Sequence, residues 1–454
     1  MKKTLAQLAT WLKIREQEYE DIVVTGISID TRTINPGDLF VPFRGEAVNG
    51  HRFVEQAFEK GAAASLWLKD EPNPPQNRPL IFVEDAEAAL QQMAVAYRSE
   101  HKATFIGITG SNGKTSTKDI LAGALSPYFK VQKTIGNFNN QLGLPITILQ
   151  LDEDTEVSVL EMGMSGFGEI ELLTRIARPH LAVITNIGEA HMQELGSREG
   201  IAQAKYEITK GLLEEGLLFY DGDEPLLRKL VAEDSDTETM SFGFGEENTL
   251  IASDIETIET GSRFTVKGMI EGTFEISVLG EHQVKNTLGV MLIGKALGLT
   301  DAQIRTSLKQ VALTDMRMQL VPVEKGPLFI NDAYNAAPTS MRAAIQFVKA
   351  TNLRPEKWLV LGDMLELGDD EKKFHEQMAE VIDESISRVC LYGPRMKWLY
   401  ERLEPKLGAI RLVYTEADYE PIIEAIRRDA NEETLILLKG SRGMKLETIV
   451  HAFK

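Results

Sequence analysis

The residues Gly113-Lys-Thr115 close the stretch Gly107-Ile-Thr-Gly-Ser-Asn-Gly-Lys-Thr115, and their types suit phosphate chemistry. Glycines let backbone N–H groups approach an anion closely, a lysine adds a point charge for β- and γ-phosphates, and a threonine hydroxyl suits Mg²⁺. Thr109, Gly110, Ser111, Asn112, Gly113, Lys114, Thr115 and Ser116 are therefore the candidate triphosphate cradle. The stretch departs from strict P-loop spacing, since Ile108 stands six before Lys114 and the glycines fall at 107, 110 and 113. The apolar run Thr104-Phe-Ile106 precedes it and a helical pattern over residues 116–129 follows, which makes it a strand-to-helix turn with an anion site at the positive helix end. The alternative is an ordinary Gly-rich turn.

Other residues gain meaning from where the pattern puts them. Glu161 ends the apolar run Val157-Ser-Val-Leu160, at the carboxyl edge where α/β sheets place phosphate sites. A carboxylate there is costly unless it meets a cation, so Glu161 is a candidate Mg²⁺ ligand; the alternative is a solvated strand end. His191, just past the run over residues 181–186, falls at the same edge, as a ligand or a surface residue. Helical spacing groups Ile201, Lys205, Ile208 and Leu212 on one apolar face. A lysine there snorkels outward or has a task, and desolvation favours the neutral amine that can take up CO₂ as a carbamate. Asp332, Tyr334 and Asn335 occupy a turn before Pro338, where Asn335 is a candidate helix cap. Arg317, between two α/β halves, reads as a phosphate contact or a surface arginine.

Alternating strands and helices must hold these residues. From residue 104 to about 314 the runs 157–161, 181–186 and 216–220 alternate with helical patterns, including one over residues 200–213, which predicts a parallel sheet covered by helices. Residues 250–280 break that rhythm as an antiparallel meander, and helical patterns over 282–297 and 301–313 follow. After residue 315 the alternation restarts with runs at 328–332, 358–362, 389–393, 411–414 and 434–439, a doubly wound arrangement. The first hundred residues hold short strand-like pieces (22–27, 39–43), helical segments (53–64, 86–98) and a Pro-rich break, Glu71-Pro-Asn-Pro-Pro75. The expected fold is α/β in three domains: a small α/β domain over 1–100, a central P-loop-type sheet with helices on both faces over 101–314, and a Rossmann-like domain over 315–454.

Composition narrows the class. The 454 residues are 43% hydrophobic and 26% charged, as in a globular protein with filled cores. A net charge of −19 argues against nucleic acid as partner but leaves room for a local basic pocket. A single cysteine, Cys390 in an apolar run, permits no internal disulfide and suits a reducing compartment. No apolar run approaches the ~18 residues of a membrane span, so the expected location is cytoplasmic.

Together these motifs resemble the Mur ligases, the ATP-dependent amide-forming enzymes of peptidoglycan precursor synthesis. The resemblance rests on Thr109-Gly-Ser-Asn-Gly-Lys-Thr115, the strand ending in Glu161, the segment from Asn186 to His191, Lys205, His282 with Asn286, and Arg317-Met318. Gly136-Asn-Phe-Asn-Asn-Gln-Leu-Gly-Leu-Pro145, Asn331-Asp-Ala-Tyr-Asn-Ala-Ala-Pro-Thr-Ser-Met341 and Gly362-Asp-Met-Leu-Glu-Leu-Gly368 point to the branch that adds D-Ala-D-Ala. Ser28-Ile-Asp-Thr-Arg32 with Gly37-Asp-Leu-Phe40 resembles the nucleotide-sugar domain shared by that branch and the enzyme adding the third residue. The resemblance implies that the loop and Lys114 hold ATP, that Thr115 and Glu161 hold one Mg²⁺, and that His191 and a carbamylated Lys205 serve a second. It implies adenine contact by Asn286 and ATP contact by Arg317 and Asp332. UDP-MurNAc-tripeptide and D-Ala-D-Ala are the implied substrates, with Ser28, Thr31, Arg32, Asn137, Asn140, Tyr334 and Asn335 the implied substrate-binding residues of a monomer. Met316 departs from the pattern, standing where many members have glycine. Alternatives are the sibling that adds the third amino acid, a folylpolyglutamate synthase-like ligase, and a P-loop ATPase switch without ligation.

Overall fold

The computed structural model describes all residues except 16–17, 46–47, 259, 312–315 and 454. The chain divides into two compact units, one of residues Met1–Lys114, Leu125–Ile187 and His191–Ser241, the other of Thr115–Ala124, Gly188–Ala190 and Phe242–Lys454.

The first unit opens with a four-stranded parallel sheet in the order Gly26–Ser28, Asp38–Phe40, Ala64–Leu68, Leu80–Val83. The last two strands flank the Pro-rich break. Sequence pattern missed them because Ala64–Leu68 is buried at every position and shows no alternation. The expected segment 22–27 is instead two short strands, Val23–Val24 and Gly26–Ser28, and the α-helical part of 53–64 is only Val54–Glu59. Helix Ala86–Glu100 starts where the Asp85 carboxylate accepts from the Ala88 N–H at 2.9 Å.

Further along this unit, five parallel strands lie in the spatial order Leu217–Asp221, Leu181–Ile184, Thr104–Thr109, Val157–Glu161, Val131–Lys133. The first two and Val157–Glu161 are buried throughout, as expected of strands covered on both faces. Register decides where their ends fall: Thr109 pairs with Ile184 and Ile108 with Glu161. The phosphate loop, Glu161 and the segment leading to His191 thus leave one sheet edge at the same level.

In the second unit, strands Leu250–Ile258, Gly261–Gly268 and Gly272–Ile276 form the expected antiparallel meander. Helices Glu281–Ala296 and Asp301–Leu308 follow, the second begun by a Thr300–Gln303 capping box; the end of the expected 301–313 helix lies outside the described residues. The C-terminal sheet has six strands in the order Gln319–Pro322, Leu328–Asn331, Thr434–Lys439, Glu356–Gly362, Arg388–Tyr392, Leu412–Thr415. All pairings are parallel except that of the edge strand Gln319–Pro322, which the sequence pattern did not predict. Helix Pro338–Ala350 buries Met341, Ala344 and Ile345 with Leu328 and Ile330 on one face. Helices Glu420–Asp429 and Glu447–His451 cover Phe329, Ile436 and Leu438 on the other.

Candidate functional site

In the phosphate loop, Gly110 (φ 152°) and Gly113 (φ 80°) adopt backbone that side chains rarely tolerate. A Cβ on Gly110 would lie 1.9 Å from Thr185 Oγ1, so no other residue fits there. Two residues beyond the next strand clamp the loop. Thr185 Oγ1 donates to the Asn112 carbonyl at 2.6 Å, and the Asn186 side chain accepts from the Asn112 N–H at 2.9 Å while donating to its carbonyl at 3.1 Å. The Ser111 N–H donates to the Asn186 carbonyl at 3.1 Å. Sequence reasoning noted Asn186 only as a family mark and missed Thr185. The Thr109 and Ser111 hydroxyls are buried and have no hydrogen-bond partner among the described residues. Buried hydroxyls without partners are costly, and an anion seated in the loop would satisfy them. The Lys114 ammonium reaches back to the loop, donating to the Gly110 carbonyl at 2.7 Å. Helix Lys114–Leu125 then begins, with Thr115 and Ser116 buried in its first turn.

Glu161 is buried, and Asn139 Nδ2 donates to its Oε1 at 2.9 Å, which rules against a freely solvated strand end. Within the Gly136–Pro145 motif it is therefore Asn139, not Asn137 or Asn140, that meets Glu161. Asn137 and Asn140 are exposed, and the Asn140 side chain accepts from the Leu142 and Gly143 N–H groups at 3.2 and 2.9 Å. His191 takes left-handed backbone (φ 66°) before helix Met192–Leu195. Desolvation, then the charges of Lys205 and Lys114, hold its imidazole below the usual histidine range, so the neutral ring is favoured.

Lys205 is 2% exposed, which excludes a snorkelling side chain. Its α-helix, Arg198–Tyr206, tightens into a 3-10 turn over Glu207–Gly211, so Ile208 and Leu212 do not continue the α-helical face read from the sequence. Burial first and the Lys114 charge second push the Lys205 amine well below the ordinary lysine range.

The second unit gathers the later candidates. The Ser116 hydroxyl accepts from Gln283 Nε2 at 3.2 Å, and Gln283 Oε1 accepts from Asn286 Nδ2 at 3.2 Å, so a buried chain ties Asn286 to the loop's helix. The Arg317 guanidinium stacks 4.2 Å from the Tyr334 ring centroid. Asp332 Oδ1 accepts from the Met318 N–H at 3.1 Å, and Oδ2 accepts from Lys439 Nζ at 2.6 Å. Lys439, unforeseen in the sequence, is 3% exposed at the end of its strand. Asn335 is exposed and does not cap the following helix: the N-cap is Ala337, whose N–H donates to Ser340 Oγ at 3.1 Å.

In the N-terminal sheet, Ser28 Oγ donates to the Asp30 carbonyl at 2.9 Å and Thr31 Oγ1 to Gln56 at 3.0 Å. Arg32 binds both Asp30 oxygens, and those hydrogen bonds lower the Asp30 carboxyl to about 2.

For a metal the donor set is a hydroxyl, a buried carboxylate and an imidazole. Among the described residues no three His, Cys, Asp or Glu side chains form a metal-holding group. Mg²⁺ on a triphosphate needs few protein ligands because phosphates and water supply the rest, and within the first unit the buried Glu161 carboxylate and the His191 imidazole are donor types that fit that demand.

Known proteins now bear on this arrangement. Residues 23–98 match the Mur ligase family catalytic domain, 108–294 the Mur ligase middle domain and 316–442 the Mur ligase glutamate ligase domain. The UDP-N-acetylmuramoyl-tripeptide--D-alanyl-D-alanine ligase of Bacillus subtilis is 46% identical over 99% of this chain and 98% of its own. A MurF crystal structure from Acinetobacter baumannii superposes with a TM-score of 0.89 at 28% identity, covering 100% of this chain and 99% of that one. The Thermotoga maritima MurF ligase in complex with ADP gives 0.83 at 28% identity, covering 95% and 97%. A buried lysine beside a glycine loop with unsatisfied hydroxyls, in a chain alike to such ligases from end to end, leads to one assignment: the protein belongs to the Mur ligase family.

Proposed function

We propose that the chain is an ATP-dependent, ADP-forming amide ligase that joins D-Ala-D-Ala to UDP-MurNAc-tripeptide, giving UDP-MurNAc-pentapeptide and phosphate for peptidoglycan synthesis in the cytoplasm. The observation that carries this reading is the convergence of Lys114, the loop's unpartnered Thr109 and Ser111 hydroxyls and the buried Lys205 in one unit. The activity named for the B. subtilis relative supports the choice of substrates.

A carboxylate and an amine do not form an amide in water without activation. The peptide carboxylate oxygen attacks the γ-phosphorus, ADP leaves, and an acyl phosphate results. The D-Ala-D-Ala amine, having lost its proton, then attacks the acyl carbon, and phosphate leaves from the tetrahedral intermediate. Lys114 and the loop amides hold the phosphates and offset charge as the phosphoryl group transfers. Thr115 and Glu161 would hold one Mg²⁺, and His191 with Lys205 as its carbamate a second; bound Mg²⁺ supplies further charge neutralisation to the transferring group. Residues 1–100 bind the nucleotide-sugar, with Ser28, Thr31 and Arg32 as contacts; residues 101–314 bind ATP. Residues 315–454 take the dipeptide near Tyr334 and Asn335 and bring Arg317 and Asp332 to ATP. Holding three substrates together lowers much of the remaining barrier.

ADP release measured with UDP-MurNAc-tripeptide tests this reading. Release should require D-Ala-D-Ala and fail with L-Lys or diaminopimelate alone. Release indifferent to D-Ala-D-Ala would favour a P-loop switch, and release driven by a single amino acid the sibling ligase.

A further inference from the structure

Adjacent strands of the C-terminal sheet send the chain to opposite faces. Leu328–Asn331 leads into helix Pro338–Ala350 on one face, while its neighbour Thr434–Lys439 leads into helix Glu447–His451 on the other. A crevice opens between strand ends where connections diverge in this way, and α/β sheets bind ligands there. Asp332 and Lys439 stand at the two strand ends.

Both Asp332 oxygens already hold protein donors: Lys439 Nζ at 2.6 Å and the Met318 N–H at 3.1 Å. Lys439 also donates to the Asn335 carbonyl at 3.1 Å, so it ties the turn over residues 332–335 to its own strand. The Met318 N–H lies one residue past Arg317, and the Met316 carbonyl, one residue before it, accepts from the Tyr334 N–H at 3.2 Å. Met316 (φ 68°) and Met318 (φ 50°) are both left-handed, a backbone that non-glycine residues hold only when the surroundings enforce it. Arg317 therefore sits on a strained segment pinned on both sides, with its guanidinium stacked on Tyr334 and a buried Nε that has no hydrogen-bond partner among the described residues.

We propose that Lys439 and Asp332 form a positioning pair whose task is to set Arg317: Lys439 orients the Asp332 carboxylate, the carboxylate holds the Met318 N–H, and the strained backbone presents the guanidinium. Asp332 then also acts through Arg317, and Lys439 becomes a further positioning residue for the ligation. This inference rests on the reading that Arg317 is brought to ATP.

The test is a double-mutant cycle in the full chain, with kcat and KM for ATP measured separately and folding followed by thermal melting. Arg317→Ala should lower kcat at least ~100-fold, as expected for a lost transition-state charge partner. Lys439→Met should lower kcat ~10-fold or more in the parent, yet change it by less than ~2-fold in the Arg317→Ala background, because coupled residues are non-additive. If Lys439→Met fails to melt cooperatively, Asp332→Asn combined with Lys439→Met removes both charges together and should show the same pattern. Equal losses in both backgrounds, or near-parental activity of the Lys439 variants, overturn the positioning role while leaving Arg317 in place. Near-parental activity of Arg317→Ala overturns the reading of Arg317 itself, and the positioning role with it.

Discussion

A lysine that loses nearly all contact with water favours its neutral amine, and Lys205 is in that state. Its pKa in the folded protein lies below the 10.5 of an ordinary lysine, so between the two values the unfolded chain binds more protons and stability rises with pH. In CO₂-free buffer Lys205→Met should raise the thermal midpoint at pH 7 by ~2 °C or more and flatten that pH dependence, while abolishing ligation. A midpoint that falls would mean that the amine is stabilised in place. Carbamylation makes a second demand: Lys205→Arg should be as inactive as Lys205→Ala, and only the alanine variant should regain turnover with a short carboxylic acid. Full activity of Lys205→Arg would reduce the residue to a plain cation. Met316 offers a stability test of the strained segment. Glycine at this φ of 68° removes a left-handed penalty of ~1 kcal/mol, partly offset by greater freedom in the unfolded chain. Met316→Gly should therefore raise the thermal midpoint slightly, and a drop of several degrees would show that the methionine side chain matters more than its backbone.

At the scale of elements, the strand–loop–helix turn depends on one close approach. Gly110→Ala drives a Cβ against Thr185 and should cost ~100-fold or more in ligation without unfolding the chain, read by activity and circular dichroism together. Parental activity would mean that the loop adjusts freely. The C-terminal sheet carries its own probe in Cys390, which is fully buried on strand Arg388–Tyr392 and whose thiol burial pushes up to about 12 from 9.0. The folded chain thus keeps a proton that the unfolded chain loses, and stability falls as pH rises from 9.0 towards about 12. A thiol reagent at pH 8 should label Cys390 only on unfolding, and rapid labelling of the native protein would contradict its burial. The strands Thr104–Thr109, Val157–Glu161 and Leu181–Ile184 and the phosphate loop were legible in the sequence because their apolar runs and glycines carry local signals. Ala64–Leu68 and the edge strand Gln319–Pro322 were not, since one lacks alternation and the other is short. Lys439 was out of reach for a different reason: its partner Asp332 lies 107 residues away, and only the sheet order brings them together. Likewise three asparagines of one motif look alike in sequence, and only the fold singles out Asn139 for Glu161.

For the whole molecule, the central claim is that energy from ATP is spent on the peptide carboxylate before the amine attacks. The proposed placement of nucleotide-sugar, ATP and dipeptide functions on successive parts of one chain would serve that order. No helix among the described residues is long and apolar enough to cross a membrane. The most direct measurement uses UDP-MurNAc-tripeptide carrying ¹⁸O in both oxygens of the reacting carboxylate, with mass analysis of the released phosphate after a full reaction with ATP and D-Ala-D-Ala. The account predicts one ¹⁸O in each phosphate released and one retained in the new amide. Unlabelled phosphate, with the second label lost to water instead, would contradict it.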